Sequence, residues 1–134
     1  MTEIYPHELA VRRDFVAQHV LTVPDPEPPE GQIHSHHFEV ELHFAGESLG
    51  EYGYLLNILT VESILDDLVE RYRDSVLNDL SEFEGLNPSV EHFSRIFGDR
   101  VAERLIAAGE DTPDQLRVKI WEDDAAWASH TRAL

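Results

Sequence analysis

His34 and His36 open a segment in which apolar and polar side chains alternate as far as Phe44. Alternate residues of a strand point to the same face of a sheet, so both imidazoles share the face that continues with Phe38 and Val40. Buried imidazoles need partners, and two rings one pleat apart can bind one metal ion, most readily zinc. The spacing alone leaves open whether the pair binds a metal or consists of two unrelated polar residues.

A metal site of this kind needs a third ligand, because catalytic zinc is usually held by three protein side chains with one position left for water or substrate. The chain contains no cysteine, which excludes thiolate ligands, disulfides and cysteine nucleophiles together. Among the remaining ligand types, His19 is the best candidate. It lies late in an apolar segment that we expect to pair with the strand carrying His34.

Two acidic residues could add binding and proton-transfer chemistry. Glu122 follows Val118 and Ile120 at alternate positions, which places it at the edge of the core. There it is either a solvated rim residue or a carboxylate that accepts paired hydrogen bonds from the N–H groups of a planar heterocycle. Glu30 lies in the loop leading to His34, and on its own it predicts only one more solvated acid.

The elements that must position these residues follow from hydrophobic periodicity. Period-two alternation and β-branched or aromatic content indicate four strands, whereas apolar residues spaced three or four apart indicate two amphipathic helices. Asn87 and Pro88 supply a helix cap and a first-turn proline, and Gly109 supplies a stop. We expect strands over residues 9–23, 34–44, 116–122 and 125–131, and helices over residues 55–72 and 88–108.

Composition limits the class of protein and its partners. The 134 residues include 27 acidic and 10 basic side chains, for a formal charge of −17, and the length predicts a single domain over residues 1–134. Such a charge repels phosphate backbones and anionic lipids, so neither nucleic acid nor a membrane is an expected partner. The absence of a signal-like start and of a spanning apolar segment predicts a cytoplasmic protein.

Five short motifs, taken in order, resemble those of the 6-pyruvoyl-tetrahydropterin synthase and 6-carboxy-tetrahydropterin synthase family. The likeness extends over nearly the whole chain, and the motifs together are far more specific than any one alone. They are Phe15-Val-Ala-Gln-His19, His34-Ser-His-His-Phe38, Leu77-Asn78-Asp79, Asn87-Pro-Ser-Val-Glu91 and Val118-Lys-Ile-Trp-Glu122.

The resemblance implies the tunnelling fold, or T-fold. This is an α+β domain in which an antiparallel four-stranded sheet in the order ββααββ carries two helices on one face and oligomerises into a barrel, as a homo-trimer or a homo-hexamer. The resemblance also implies Zn²⁺ as the cofactor, held by His19, His34 and His36, and a pterin-like small-molecule substrate held by Glu122. Biopterin or queuosine biosynthesis is the implied setting.

The proton-transfer residues depart from the family pattern. Glu30 stands where the family has a cysteine, and Arg73 and Asp74 stand where it has an Asp-His pair. A carboxylate near zinc can still move a proton if burial and metal charge tune its pKa, and some family branches with a glutamate near this position resemble aldolases. Glu30, helped by Asp74, is therefore the candidate for proton transfer, and Arg73 is expected to pair with a neighbouring acid.

These observations predict a zinc-dependent, lyase-like enzyme acting on dihydroneopterin or its triphosphate with altered proton-transfer residues. The alternative is a homologue that keeps zinc and a pterin or purine pocket without the family's synthase activity. A zinc-stabilised assembly protein is a third interpretation, but it leaves Glu122 without a role. Asp123 adds negative charge beside the expected pterin anchor, which disfavours a polyanionic triphosphate.

Overall fold

The computed structural model describes residues 4–134, which form a four-stranded sheet and two α-helices. The strands follow chain order across the sheet, and each neighbouring pair is antiparallel. The predicted α+β order ββααββ is therefore confirmed. The strands are β1 (His7–His19), β2 (His34–Gly46), β3 (Gln115–Glu122) and β4 (Ala126–Ala133), and the helices are α1 (Ile58–Tyr72) and α2 (Val90–Ala107).

The first strand ends at His19, four residues before the expected end at Val23. The reason is the Asn78 carboxamide, whose Oδ1 accepts a hydrogen bond from the Val20 N–H at 2.8 Å and whose Nδ2 donates to the Val20 carbonyl at 2.9 Å. This side chain takes over the backbone groups that a longer strand would pair. The strand therefore ends at His19, which is the first candidate metal ligand.

Both helices begin at side-chain caps. Asn57 accepts a hydrogen bond from the Leu59 N–H at 3.0 Å before α1, and Ser89 accepts one from the His92 N–H at 3.1 Å before α2. The side chain of Asn87, the expected cap of the second helix, instead accepts a hydrogen bond from the Thr22 N–H at 2.8 Å. Neither helix of residues 4–134 is both long enough and apolar enough to cross a bilayer.

The two helices pack on one face of the sheet, as predicted, and bury an aromatic group next to the candidate ligands. The ring centroid of Phe38 lies 5.8 Å from that of Phe15 and 5.4 Å from that of Phe93. The rings of His36 and His19 lie 5.9 and 6.2 Å from Phe38. The histidine end of the sheet therefore has a rigid apolar floor.

The other face of the sheet, which we call the open face, carries the alternate residues of β2. His37 on this face is exposed, whereas Glu39, Glu41 and His43 are half-buried. Part of the reason is a local polar cluster, because the Glu41 carboxylate binds Trp121 Nε1 at 2.8 Å and lies 3.0 Å from His43 Nε2. The open face is thus polar and internally paired.

Glu82, in the short 3₁₀ turns between the helices, ties both helices together. Its carboxylate accepts hydrogen bonds from Arg71 at 2.7 and 2.8 Å and from the Tyr72 hydroxyl at 2.9 Å, and it pairs with Arg100 at 2.9 Å. Only 8% of its side chain is exposed. The hydrogen bonds from Arg71 lower the pKa of Glu82 to about 2.

Glu82→Gln should lower the free energy of unfolding by roughly 1–3 kcal/mol at pH 7, because it removes the charge from a nearly buried hydrogen-bond acceptor. The folded-state pKa is depressed, so this contribution is present above the usual value of 4.5 and is lost as the pH falls toward 2. Urea denaturation measures the free energy of unfolding of wild type and variant at pH 7 and pH 3. The difference between the two proteins should be smaller at pH 3. Glu84→Gln, which changes an exposed neighbour, is the control. An equal loss of unfolding free energy in Glu82→Gln and Glu84→Gln would contradict the prediction.

Candidate metal site

The pairing register of β1 and β2 brings three histidines to one end of the sheet. His19 lies directly opposite His34, and His36 lies one pleat further along β2 on the same face. The ring centroids are 4.5 Å apart for His19 and His34, 5.0 Å for His19 and His36, and 4.7 Å for His34 and His36. One nitrogen from each ring lies within 4.8 Å of the other two, so the three could hold a single metal ion.

Each of the three rings has its Nδ1 atom occupied by a protein oxygen. His19 Nδ1 lies 2.9 Å from the Pro88 carbonyl, His34 Nδ1 lies 2.8 Å from the Gln32 carbonyl, and His36 Nδ1 lies 2.6 Å from Asp123 Oδ2. A carbonyl only accepts, so the first two Nδ1 atoms must donate, which leaves their Nε2 lone pairs free. A ring fixed in this way by an oxygen on its far nitrogen is the usual arrangement of a metal-ligating histidine.

His19 is the member of the cluster that most needs a further partner. Only 1% of the residue is exposed, and its buried Nε2 has no hydrogen-bond partner among residues 4–134. Burial lowers the pKa of His19 to about 4, so the ring is neutral at neutral pH and can act as a ligand. An orphaned, neutral imidazole nitrogen between two others fits a zinc ion, since a buried polar atom without a partner is otherwise costly.

Glu122 and Asp123 follow each other at the end of β3 and flank His36 on both sides. Glu122 pairs with Phe38 in the sheet, and its Oε1 lies 3.5 Å from His36 Nε2. Burial raises the pKa of the Glu122 carboxyl above its usual range. Asp123 accepts hydrogen bonds from His36 Nδ1 and from the His37 backbone N–H at 3.0 Å, and the His36 bond lowers its pKa.

Asp123 is the site residue whose orienting role sequence reasoning missed. The sequence indicates only a turn residue that adds negative charge next to Glu122, because the alternating pattern of β3 ends before Asp123. The signal that could have revealed it is an acidic residue in a tight turn, where its backbone adopts a φ of 55°. That turn folds the carboxylate back onto β2, where it meets His36 across 87 residues of sequence.

The structure places Glu30 in the exposed loop between β1 and β2. Its backbone carbonyl accepts a hydrogen bond from the Leu21 N–H at 2.9 Å, and its own N–H donates to the Glu27 carbonyl at 2.8 Å. The loop is thereby held beside the residues that follow His19. The Glu30 carboxylate is exposed and is not part of the histidine cluster.

Asp74 follows α1 and is also exposed outside the histidine cluster. Its backbone adopts a φ of 59°, and its N–H donates to the Val16 carbonyl on the edge of β1 at 2.7 Å. Arg73 pairs with Glu70 at 3.1 Å, as the sequence predicted. The stretch that replaces the Asp-His pair therefore lies against the strand that carries His19.

Comparison with known proteins identifies the fold and the family. The family model of 6-pyruvoyl tetrahydropterin synthase matches residues 8–133, whereas no curated protein sequence matches the chain. The 6-pyruvoyltetrahydropterin synthase of Plasmodium vivax superposes with a TM-score of 0.81 at 12% identity, covering 96% of this chain and 98% of that one. The enzyme of Caenorhabditis elegans does so with a TM-score of 0.74 at 12% identity, covering 97% and 99%.

An uncharacterized protein from Wolinella succinogenes is similar as well, with a TM-score of 0.70 at 13% identity over 92% of this chain and 97% of that one. At these identities the structural matches show the T-fold, and membership rests on the family model that covers the sheet and both helices. The resemblance read from the five motifs is confirmed: the chain belongs to the 6-pyruvoyl tetrahydropterin synthase family.

Proposed function

We propose that this chain is a zinc-dependent, lyase-like enzyme of pterin metabolism that acts on the side chain of a dihydroneopterin-type substrate. The observation that carries the proposal is the set of three imidazoles within 4.8 Å, each with Nδ1 occupied, among which the buried Nε2 of His19 has no partner in residues 4–134. Three imidazoles that leave a fourth position for water or substrate are a donor set of catalytic zinc. Family membership supports a pterin as the substrate.

In this proposal His19, His34 and His36 hold one Zn²⁺. When bound, the ion would supply a Lewis acid that polarises the substrate's side-chain oxygens and acidifies the neighbouring C–H groups. The chain's own contribution is to fix the three rings. The Pro88 and Gln32 carbonyls set the orientation of His19 and His34, and the two carbonyls belong to loops that the rest of the fold anchors.

Glu122 is proposed to anchor the pterin ring. A carboxylate can accept two N–H donors from the amino group and ring nitrogen of a pterin at once. Its Oε1 lies 3.5 Å from His36 Nε2, so a ring held there would extend its side chain toward the metal position. Burial raises the pKa of Glu122, which means that water stabilises the carboxylate poorly and that N–H donors stabilise it more.

Glu30 is proposed to take the proton from the substrate, with Asp74 as the second carboxylate. The loop bonds place Glu30 beside the segment that follows His19, and the chain has no cysteine to serve as the base. Structures of the Plasmodium vivax enzyme exist in which a glutamate described as a catalytic residue is replaced by alanine or by cysteine. A glutamate can therefore belong to the reaction machinery on this fold, which supports the assignment here.

The proposal includes a homo-trimer or homo-hexamer. β1 and β4 are the edge strands of the sheet, and edge strands expose backbone donors and acceptors that a second copy can pair. The loop after α1 covers part of one edge, because Gln18 bridges Val76 in parallel. The β4 edge carries mostly exposed and half-exposed residues, and it offers a full strand of 8 residues for pairing.

His19→Ala should abolish stoichiometric zinc binding. Loss of a direct ligand should weaken zinc affinity by more than about 100-fold, which exceeds the usual effect of removing an outer-shell partner. Metal analysis of protein purified without chelator, followed by titration against a chelating dye, measures this.

His43→Ala is the matched control for this zinc measurement, because His43 lies on the same strand as His34 but on the open face. Asp123→Asn keeps all three ligands. Its zinc affinity should lie between those of His19→Ala and His43→Ala, with a loss of roughly 10–100-fold relative to wild type. Zinc retained at full affinity by His19→Ala would disprove the site.

Glu122→Gln should weaken the binding of 7,8-dihydroneopterin to the zinc-loaded protein by about 10–100-fold, since a buried charge-assisted pair of hydrogen bonds is lost. Isothermal titration calorimetry measures the affinity. Glu39→Gln removes the same charge from the open face and should leave the affinity unchanged. Equal affinity for wild type and Glu122→Gln would remove Glu122 from the proposed anchor.

Glu30→Gln should reduce turnover of 7,8-dihydroneopterin by at least about 100-fold with little change in substrate affinity, because a general base acts only in the transition state. Product chromatography and calorimetry give the two quantities separately. Asp74→Asn tolerates the same left-handed backbone and tests the second carboxylate. Unchanged turnover in Glu30→Gln would assign the proton to another group, and binding without turnover in the wild type would favour a pterin-binding homologue without synthase activity.

A further inference from the structure

We propose that the site selects a pterin whose side chain carries no phosphate groups and discriminates against the triphosphate ester of the same compound. This inference rests on the proposed function and narrows its substrate class. It follows from the charges around the three histidines and from the location of every lysine and arginine of the chain.

Negative charge surrounds the candidate metal position. Glu122 and Asp123 flank His36, with oxygens 3.5 Å from its Nε2 and 2.6 Å from its Nδ1. The two carboxylates offset the two positive charges that a zinc ion brings. Glu91 and Asp124 add to this field. Glu91 repels the Glu122 carboxylate, and Asp124 directly follows Asp123 in the turn between β3 and β4.

The N-terminus of α2 lies beside the site, but its first turn carries an acidic side chain and a capped N–H group. Pro88, just before the helix, uses its carbonyl to hold His19 Nδ1 at 2.9 Å. The first turn of α2 already carries the Glu91 carboxylate, which matches the positive end of the helix dipole. The His92 N–H, which could bind a phosphate, is taken by Ser89 Oγ at 3.1 Å.

The arginines that could bind phosphate are already paired with carboxylates. The chain has 10 lysines and arginines, and eight arginines make ion pairs with N–O distances between 2.7 and 3.6 Å. A triphosphate would have to displace these carboxylates, and phosphate recognition normally uses free guanidinium or ammonium groups. The pairs are Arg12–Glu39, Arg13–Glu62, Arg13–Asp66, Arg71–Glu82, Arg100–Glu82, Arg73–Glu70, Arg95–Asp99, Arg132–Asp99 and Arg104–Asp67.

The remaining two cations lie on the wrong face of the sheet. Arg117 and Lys119 alternate along β3 with the fully buried Val118, so they point to the open face, away from the histidines. Lys119 Nζ lies 4.1 Å from the ring centroid of Trp127 and 5.0 Å from that of Trp121. A phosphate group near the metal position would thus meet carboxylates, and no lysine or arginine of residues 4–134 is both unpaired and on the histidine face of the sheet.

The test compares two ligands on one zinc-loaded protein. Calorimetry without magnesium should show that 7,8-dihydroneopterin binds at least about tenfold more tightly than its triphosphate at 0.05 M salt. The difference in affinity between the two ligands should be smaller at 1 M salt, where the screening length falls to about 3 Å. Circular dichroism and zinc content, measured in both buffers and after each titration, verify that the protein stays folded and loaded.

A charge variant tests the same inference at a single salt concentration. The double variant Glu91→Gln with Asp124→Asn should bind the triphosphate several-fold more tightly and bind 7,8-dihydroneopterin as wild type does. Glu47→Gln with Glu51→Gln is the control, because it removes equal charge from the exposed loop after β2. That loop lies about 40 Å along the strand from His34, well beyond the screening length.

The outcomes separate this inference from the proposed function. Tighter or equal binding of the triphosphate at 0.05 M salt, or a double variant whose ligand preference matches that of its control, overturns the inference and leaves a zinc-dependent pterin enzyme in place. Binding of neither ligand by zinc-loaded protein overturns the proposed function itself. Preference for 7,8-dihydroneopterin that weakens in the double variant, but not in the control, supports both.

Discussion

The register between β1 and β2 is the constraint on which the rest of the site depends. Thirteen residues of each strand pair without a break, and the last pair sets His19 opposite His34. Because side chains alternate with a period of two, a slip of one residue would move His19 to the open face and bury its polar neighbours instead. The apolar floor that Phe38 and its aromatic neighbours form therefore stabilises both the register and the histidine cluster.

The protein oxygens behind the histidines fix the orientation of the rings. Pro88, Gln32 and Asp123 come from three separate loops, and each occupies one Nδ1 atom. With these atoms occupied, one nitrogen from each ring lies within 4.8 Å of the other two, so a metal ion could bind all three with little reorganisation. The site is thus preorganised by loops whose own positions depend on the Asn78 and Asn87 carboxamides.

The proposed metal ligands and the proposed proton-transfer residues differ in how closely they follow the motifs that the sequence resembles. The three histidines and Glu122 stand in motifs that resemble those of the family, whereas Glu30, Arg73 and Asp74 stand where the resemblance would place other residues. A metal site tolerates few changes because geometry and ligand type are both demanding. A general base needs only reach and a suitable pKa, so a carboxylate in a loop can replace a thiolate without a change of fold.

Periodicity in the sequence was enough to predict six elements, their order, the apolar faces of β2 and β3, and the position of His34 and His36 on that face of β2. These features are local, since alternation along one strand already decides which side chains enter the core. The tertiary structure alone decided that Asn78 ends β1, that Asn87 binds Thr22 instead of capping α2, and that Asp123 orients His36. These contacts join residues 58, 65 and 87 positions apart, so they exist only once the strands and helices have packed.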